Sequence, residues 1–115
     1  MLKFLRYSQI FFLSLSFFYA RGYTCNEIDS IITNRFDNGD YEIAHTMAKK
    51  NKSKDACDAN FYFNLGSVFK KFDDFNTTRE MYNLAMKKSN EEDYKAINLE
   101  YKKLSFFSSQ VNFIQ

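Results

Sequence analysis

The sequence has no proline and no tryptophan, and among its 115 residues only three are glycine and one is histidine. A many-stranded sandwich or barrel draws on Gly and Pro for its tight turns. Their scarcity excludes that class and leaves helices joined by short links. One His and two Cys are too few for a structural zinc site. The two Cys form no CxxC redox motif, and neither a phosphate-cradling Gly loop nor a G-x-S-x-G is present. At this length the chain holds one domain. Charged residues make up 26% of it, with both signs interspersed, which is the balance of a globular protein rather than a disordered one.

The formal net charge of +2 is set by the N-terminus. Lys3, Arg6 and Arg21 lie in the segment from Met1 to Gly22, where no acidic residue occurs, and the remainder is marginally acidic. A nucleic-acid binder that neutralises phosphates needs a basic excess or a basic face. The pairs Lys49-Lys50, Lys70-Lys71, Lys87-Lys88 and Lys102-Lys103 instead fall late in helical stretches, where they complement the helix dipole. No nucleic-acid partner, metal or cofactor is expected.

After Lys3 and Arg6 comes an uncharged stretch that includes Ile10-Phe11-Phe12-Leu13 and Phe17-Phe18-Tyr19-Ala20. It is shorter than the roughly 20 residues of a bilayer-spanning helix. A positive start, a short apolar core and small residues at its end read as a secretory signal peptide over residues 1–22. Ala20-Arg21-Gly22 places the cut after Gly22, with the bond after Ala20 as the second choice. An uncleaved anchor is the alternative, and only then is the membrane a partner. Cys25 is not a lipoprotein cysteine, because Gly22, Tyr23 and Thr24 do not make a lipobox. The expected location is secreted or periplasmic. There an oxidising environment favours pairing Cys25 with Cys57, the two cysteines of the mature chain.

Shifting the chain by 34 aligns Asp40 with Asp74, Tyr41 with Phe75, Ala44 with Thr78, Met47 with Met81, Ile31 with Leu65, and Leu65 with Leu99. A fixed period of this size is that of a two-helix repeat. Apolar periodicity predicts helices over about 25–36 and 41–50, a third starting between about 56 and 59 and running to about 72, and two more over about 75–88 and 91–106 or beyond. Their inward sets are Ile28, Ile31, Ile32 and Phe36; Tyr41, Ala44, Met47 and Ala48; Tyr62, Leu65, Val68, Phe69 and Phe72; and Phe75, Met81, Tyr82, Leu84 and Ala85. Asn38-Gly39-Asp40 is a turn that also caps the second helix, Asp55 or Asp58 caps the third, Asp73-Asp74 caps the fourth, and Ser89 with Glu92 forms a capping-box pattern for the fifth. Residues 108–115 are expected to fray.

Tyr62, Leu65-Gly66, Phe69, Asp73-Asp74-Phe75, Thr78, Tyr82 and Ala85 resemble one tetratricopeptide repeat. Gly66 suits that family's logic, since a residue without a side chain lets two helices approach closely. Helices one and two resemble a weaker copy, with Ile32 in place of the Gly and Asn51 in place of the late Ala, and Ala96 and Leu99 resemble the start of a third. A Sel1-like repeat is the second choice. The resemblance implies an all-α fold of antiparallel hairpins, about two and a half repeats over residues 23–107, followed by a tail over 108–115. It also implies that both cysteines sit at the same end of neighbouring helices, where a disulfide would staple the two hairpins together.

Chemistry-bearing residues are few. His45 is expected on the outer, solvent side of helix two. Glu91-Glu92-Asp93 fits helix-start charge and lacks the spacing of a calcium loop. The sequons Asn51-Lys52-Ser53 and Asn76-Thr77-Thr78 would matter only in a glycosylating host. The reading is therefore a binder and not an enzyme. The family register implies a concave face made of Asn26, Asp29, Thr33, Phe63, Asn64, Ser67, Lys71, Tyr94, Asn98 and Tyr101, suited to a peptide or protein partner. The family's carboxylate clamp would need more cations there, and only Asn64 matches it. The alternative is a structural or assembly subunit of an envelope or secretion complex, a homo-oligomer among its forms, docking through Phe106, Phe107, Val111, Phe113 and Ile114.

Overall fold

The structure, a computed structural model, describes the backbone of residues 22–114 and the side chains of residues 22–104. The expected signal peptide lies outside the described residues, apart from its last position. Five α-helices follow one another: α1 Cys25–Asp37, α2 Tyr41–Asn51, α3 Ala59–Lys71, α4 Phe75–Lys88 and α5 Glu91–Ile114. No strand occurs among the described residues. The architecture is all-helical: α1 with α2 and α3 with α4 form antiparallel hairpins, and α5 packs on α4. α3 is the hub, lying against α1, α2 and α4.

The helix starts are dictated locally. Thr24 accepts a hydrogen bond from the Glu27 amide at 3.2 Å, and the Glu27 carboxylate accepts from the Thr24 amide at 3.3 Å. This reciprocal capping box satisfies two backbone donors that the first turn leaves unpaired. Asp58 caps α3 by accepting from the Phe61 amide, and Asp74 caps α4 by accepting from the Thr77 amide. Asp40 makes no such bond and faces Arg35 at 3.4 Å. At α5 the expected capping box gives way to another arrangement. Asn90 Oδ1 accepts from the Asp93 amide at 2.8 Å, while the Ser89 hydroxyl is drawn back to the Met86 carbonyl at 2.9 Å. Ser89 therefore closes α4, and Asn90 opens α5. The backbone of α5 is helical through to Ile114, past the point where fraying was expected.

The two hairpin turns are built alike. At the end of α1 the Gly39 amide donates to the Phe36 carbonyl and the Asp40 amide to that of Arg35. At the end of α3 the Asp73 amide donates to Lys70 and the Asp74 amide to Phe69. Each turn thus carries the paired hydrogen bonds of a Schellman termination, at equivalent positions of the repeat. This termination needs a left-handed residue just past the helix. Gly39 takes φ +85° there, and Asp73 takes φ +60° despite its side chain.

α3 contributes most to the core, with Phe61, Tyr62, Leu65, Gly66, Val68 and Phe69 all buried. They meet Thr78, Met81, Tyr82 and Ala85 of α4, of which Thr78, Met81 and Ala85 are 0% exposed. Burying each of the larger apolar side chains stabilises the fold by about 1.5–3 kcal/mol. A Cβ at Gly66 would lie 2.5 Å from Tyr82 Cε1, 2.6 Å from Cδ1 and 3.3 Å from Met81 Cβ. Only glycine allows this approach. The hydroxyl of Thr78, which is 0% exposed, donates to the Asp74 carbonyl at 2.8 Å. Two expected inward residues sit at the rim instead: Tyr41 and Phe72 are 38% and 36% exposed.

The first hairpin is tied to the second covalently. Cys25 and Cys57 form a disulfide with Cα atoms 5.6 Å apart, closing 32 positions of sequence between the start of α1 and the residues before α3. The link between the hairpins is further held by Tyr62, whose hydroxyl donates to the Lys54 carbonyl at 2.6 Å.

Three changes test this account in urea titrations of the disulfide-bonded protein. Gly66→Ala should destabilise it by about 1–2 kcal/mol, because overpacking outweighs the gain in helix propensity. Asp73→Gly should stabilise it by about 0.5–1 kcal/mol by relieving the left-handed residue. Reduction of the disulfide should cost about 3–4 kcal/mol on the chain-entropy account, and a thiol assay before reduction should find none.

Candidate functional site

α3 borders a groove on each side of its exposed strip. On one side, α3 and α5 enclose a cleft of about 390 Å³. Ala59 and Phe63 of α3 and Ala96, Ile97 and Leu99 of α5 make its apolar walls, and Asn60, Asp93 and Glu100 stand among them. The cleft exists because α5 packs on α4 and stands off α3. Phe63 is held in place by stacking on Tyr82, with ring centroids 5.0 Å apart and planes 17° apart. Leu99, 57% exposed, is the most exposed large apolar side chain described. Glu100 is flanked by Lys70 at 3.9 Å and Lys103 at 3.1 Å.

On the other side, α1 and α3 enclose a second cleft of about 410 Å³, lined by Asp29, Ser30, Thr33, Asn34, Asp37 and Asn64. Here the walls are polar. Asn64 Nδ2 donates to Asp29 Oδ1 at 2.8 Å across the interhelix contact, and the Thr33 hydroxyl donates to the same oxygen at 3.4 Å. That pair fixes the rotamers of both partners and joins the two hairpins where they meet the groove.

The ten residues expected on the concave face divide in the structure. Asp29, Thr33 and Asn64 come together in the polar cleft, and Phe63 lines the apolar one. Asn26 is exposed at the start of α1 and lines neither. The Ser67 hydroxyl donates to the Phe63 carbonyl at 3.1 Å and lies 3.4 Å from Tyr82 Oη. Lys71 turns towards the start of α2, its Nζ 4.6 Å above the Tyr41 ring. Tyr94 is 47% exposed outside the cleft lining, Tyr101 is partly buried against the core, and Asn98 is half-buried. The α5 side of the cleft is Asp93, Ala96, Ile97, Leu99 and Glu100. The i, i+3, i+4, i+7 spacing of Asp93, Ala96, Ile97 and Glu100 was visible in the sequence, but the rotation of the helix that presents them was not.

His45 is not on a free outer surface. It stacks on Phe72, with centroids 4.0 Å and planes 13° apart, and meets Phe69 edge-on at 5.5 Å. Burial against these rings pushes its pKa below the ordinary 6.5, Lys49 adds to the depression, and Asp74 opposes it. Burial likewise raises the pKa of the Tyr82 hydroxyl above its usual value, against the opposing effect of its hydrogen bond with Ser67. Cys25 and Cys57 are both consumed in the disulfide. Among the described residues no group of His, Cys, Asp and Glu is arranged to hold a metal ion, and no helix is long and apolar enough to cross a membrane.

The lowered His45 pKa gives a pH dependence with a defined sign. The unfolded chain protonates this imidazole first, at about 6.5, while the folded chain still holds it neutral. Stability from this group is therefore full above about pH 6.5 and declines as pH falls towards the folded value. Comparing urea midpoints at pH 7.5 and 5.0, the wild type should lose more than His45→Gln does. Equal losses would show that His45 is solvated in solution.

Compared with protein-family models, curated proteins and solved structures, the chain matches none.

Proposed function

We propose that the chain is an exported interaction module of tetratricopeptide type, and not an enzyme, which takes a segment of a protein partner across the exposed strip of α3. The observation that carries this reading is the α3/α5 cleft. It is an open groove with an apolar floor and polar rim, and its wall includes the largely exposed Leu99. Apolar surface bordered by polar groups gains most when a docking peptide removes it from water. The grooves offer carboxylates, amides, hydroxyls and apolar side chains, while the lone imidazole is stacked on phenylalanine rings away from both.

Kinship with tetratricopeptide repeats is supported by the matching turns at equivalent repeat positions and by the packing of Gly66 under Tyr82. Export is supported by the Cys25–Cys57 bond, which needs an oxidising compartment to persist, and by the basic-then-apolar pattern between Met1 and Gly22.

A photo-reactive phenylalanine analogue at Leu99 tests the binding face against one at Ile43, which is 48% exposed on α2. In the exported fraction of an expressing culture, the probe at 99 should cross-link a discrete protein partner that the probe at 43 does not. The same adduct from both sites, or an adduct from 43 alone, would move the interface off the groove. N-terminal sequencing of the exported protein should begin at Tyr23. Recovery of all the protein inside the cell with free thiols would overturn export.

A further inference from the structure

The two clefts flanking α3 share a property that composition hides. Beyond Gly22 the chain nearly balances its charges, yet neither cleft is lined by a Lys, Arg or His. Between them they hold four carboxylates: Asp29 and Asp37 in the polar cleft, Asp93 and Glu100 in the apolar one. The nearby cations are turned elsewhere or already engaged. Lys71 covers the Tyr41 ring, Lys70 and Lys103 flank Glu100, and Lys88, 5.7 Å from the Tyr62 ring, lines a polar pocket together with Asp93 at the end of the apolar cleft. Glu100 is thus compensated locally. The polar cleft keeps two carboxylates, with hydrogen-bond donors from Asn64 and Thr33 directed at Asp29 alone. One side of α3 therefore favours positive charge, and the other favours an apolar side chain.

Resting on the interaction-module reading above, we propose that the occupant of this face is a peptide segment that pairs a bulky apolar side chain with a Lys or Arg. The apolar side chain enters between Phe63, Ile97 and Leu99, and the cation pairs with one of the two carboxylates, Asp29 or Asp37, which stand eight residues and about 12 Å apart along α1. Packed helices lie about 8–10 Å apart, and an extended chain advances about 3.3 Å per residue. A segment crossing α3 therefore bridges the two clefts with its apolar and cationic residues about two to four positions apart. Opposed charge also sets partner choice, because an acidic segment laid across the same strip meets uncompensated carboxylates.

The experiment is a selection from a randomised dodecapeptide display library on the disulfide-bonded protein, followed by fluorescence anisotropy with an enriched peptide. Enriched sequences should carry Lys or Arg two to four positions from Phe, Tyr, Leu, Ile or Met. Their binding should weaken about three- to tenfold in the double variant Asp29→Asn, Asp37→Asn, whose side chains keep their shape and an acceptor oxygen. It should weaken by about tenfold or more in Leu99→Ser, a surface change that leaves the core untouched. Circular dichroism of each variant confirms that the fold is retained. Enrichment of acidic or uncharged peptides, or peptides sensitive to Leu99→Ser and indifferent to the carboxylate variant, would overturn the cationic assignment and leave the interaction module standing. No enrichment, or binding indifferent to every variant, would overturn both.

Discussion

The structure depends on the close approach of α3 and α4 at Gly66. With no side chain there, the Tyr82 ring lies against the α3 backbone, at a distance no Cβ could tolerate. Several features follow from the position of that ring. Its other contact is Phe63, which stacks on it and is thereby fixed as the floor of the apolar cleft. Its hydroxyl reaches Ser67, drawing that side chain away from the exposed strip of α3. Beside it, Met81, Thr78 and Ala85 are sealed from solvent. Widening this contact would disturb the core and the cleft together, because both use the same ring.

The first hairpin is attached to this centre by three different means. The disulfide anchors one end of α1, the Asp29–Asn64 hydrogen bond lies along the polar cleft, and His45 of α2 packs its ring on Phe69 and Phe72 at the end of α3. Only Ala44 and Ala48 of α2 are fully enclosed, so its small apolar contribution makes these ties matter more than for α4. The covalent bond limits how far α1 can separate in the unfolded chain, and the polar pair sets the angle at which it returns. α5 has no such tie. It is carried by α4 through Ile97 and Leu104, and that one-sided attachment leaves the cleft against α3.

Much of this was legible from local chemistry. The boundaries of α1, α2 and α4 followed from apolar periodicity, and the two turns followed from Gly39-Asp40 and Asp73-Asp74. The spacing left Asp55 or Asp58 as the cap of α3 and Asp73-Asp74 as that of α4, because an acceptor just ahead of an apolar run has backbone amides to satisfy, and the structure uses Asp58 and Asp74. The Thr24–Glu27 capping box had the same signal in its spacing and went unread. Ser89 misled because a hydroxyl near a helix junction has two uses. It can cap the next helix or close the last, and the Met86 carbonyl lies within its reach.

Asp29, Thr33, Phe63 and Asn64 fall on the grooves as the repeat register implies, whereas Asn26, Ser67 and Lys71 of the same two helices line neither. The register transferred poorly to α5, whose rotation is decided by the packing of Ile97, Tyr101 and Leu104 against the core. By itself the sequence determined the helical class and the turns, which depend on neighbours within one or two helical turns, and the hairpin period and the glycine at the crossing, which a spacing repeated along the chain marks. Only the tertiary structure decided how far α5 stands from α3, which carboxylates remain uncompensated, and that His45 lies against phenylalanine. Those features depend on distances between segments far apart in the chain, where small rotations of whole helices choose what meets.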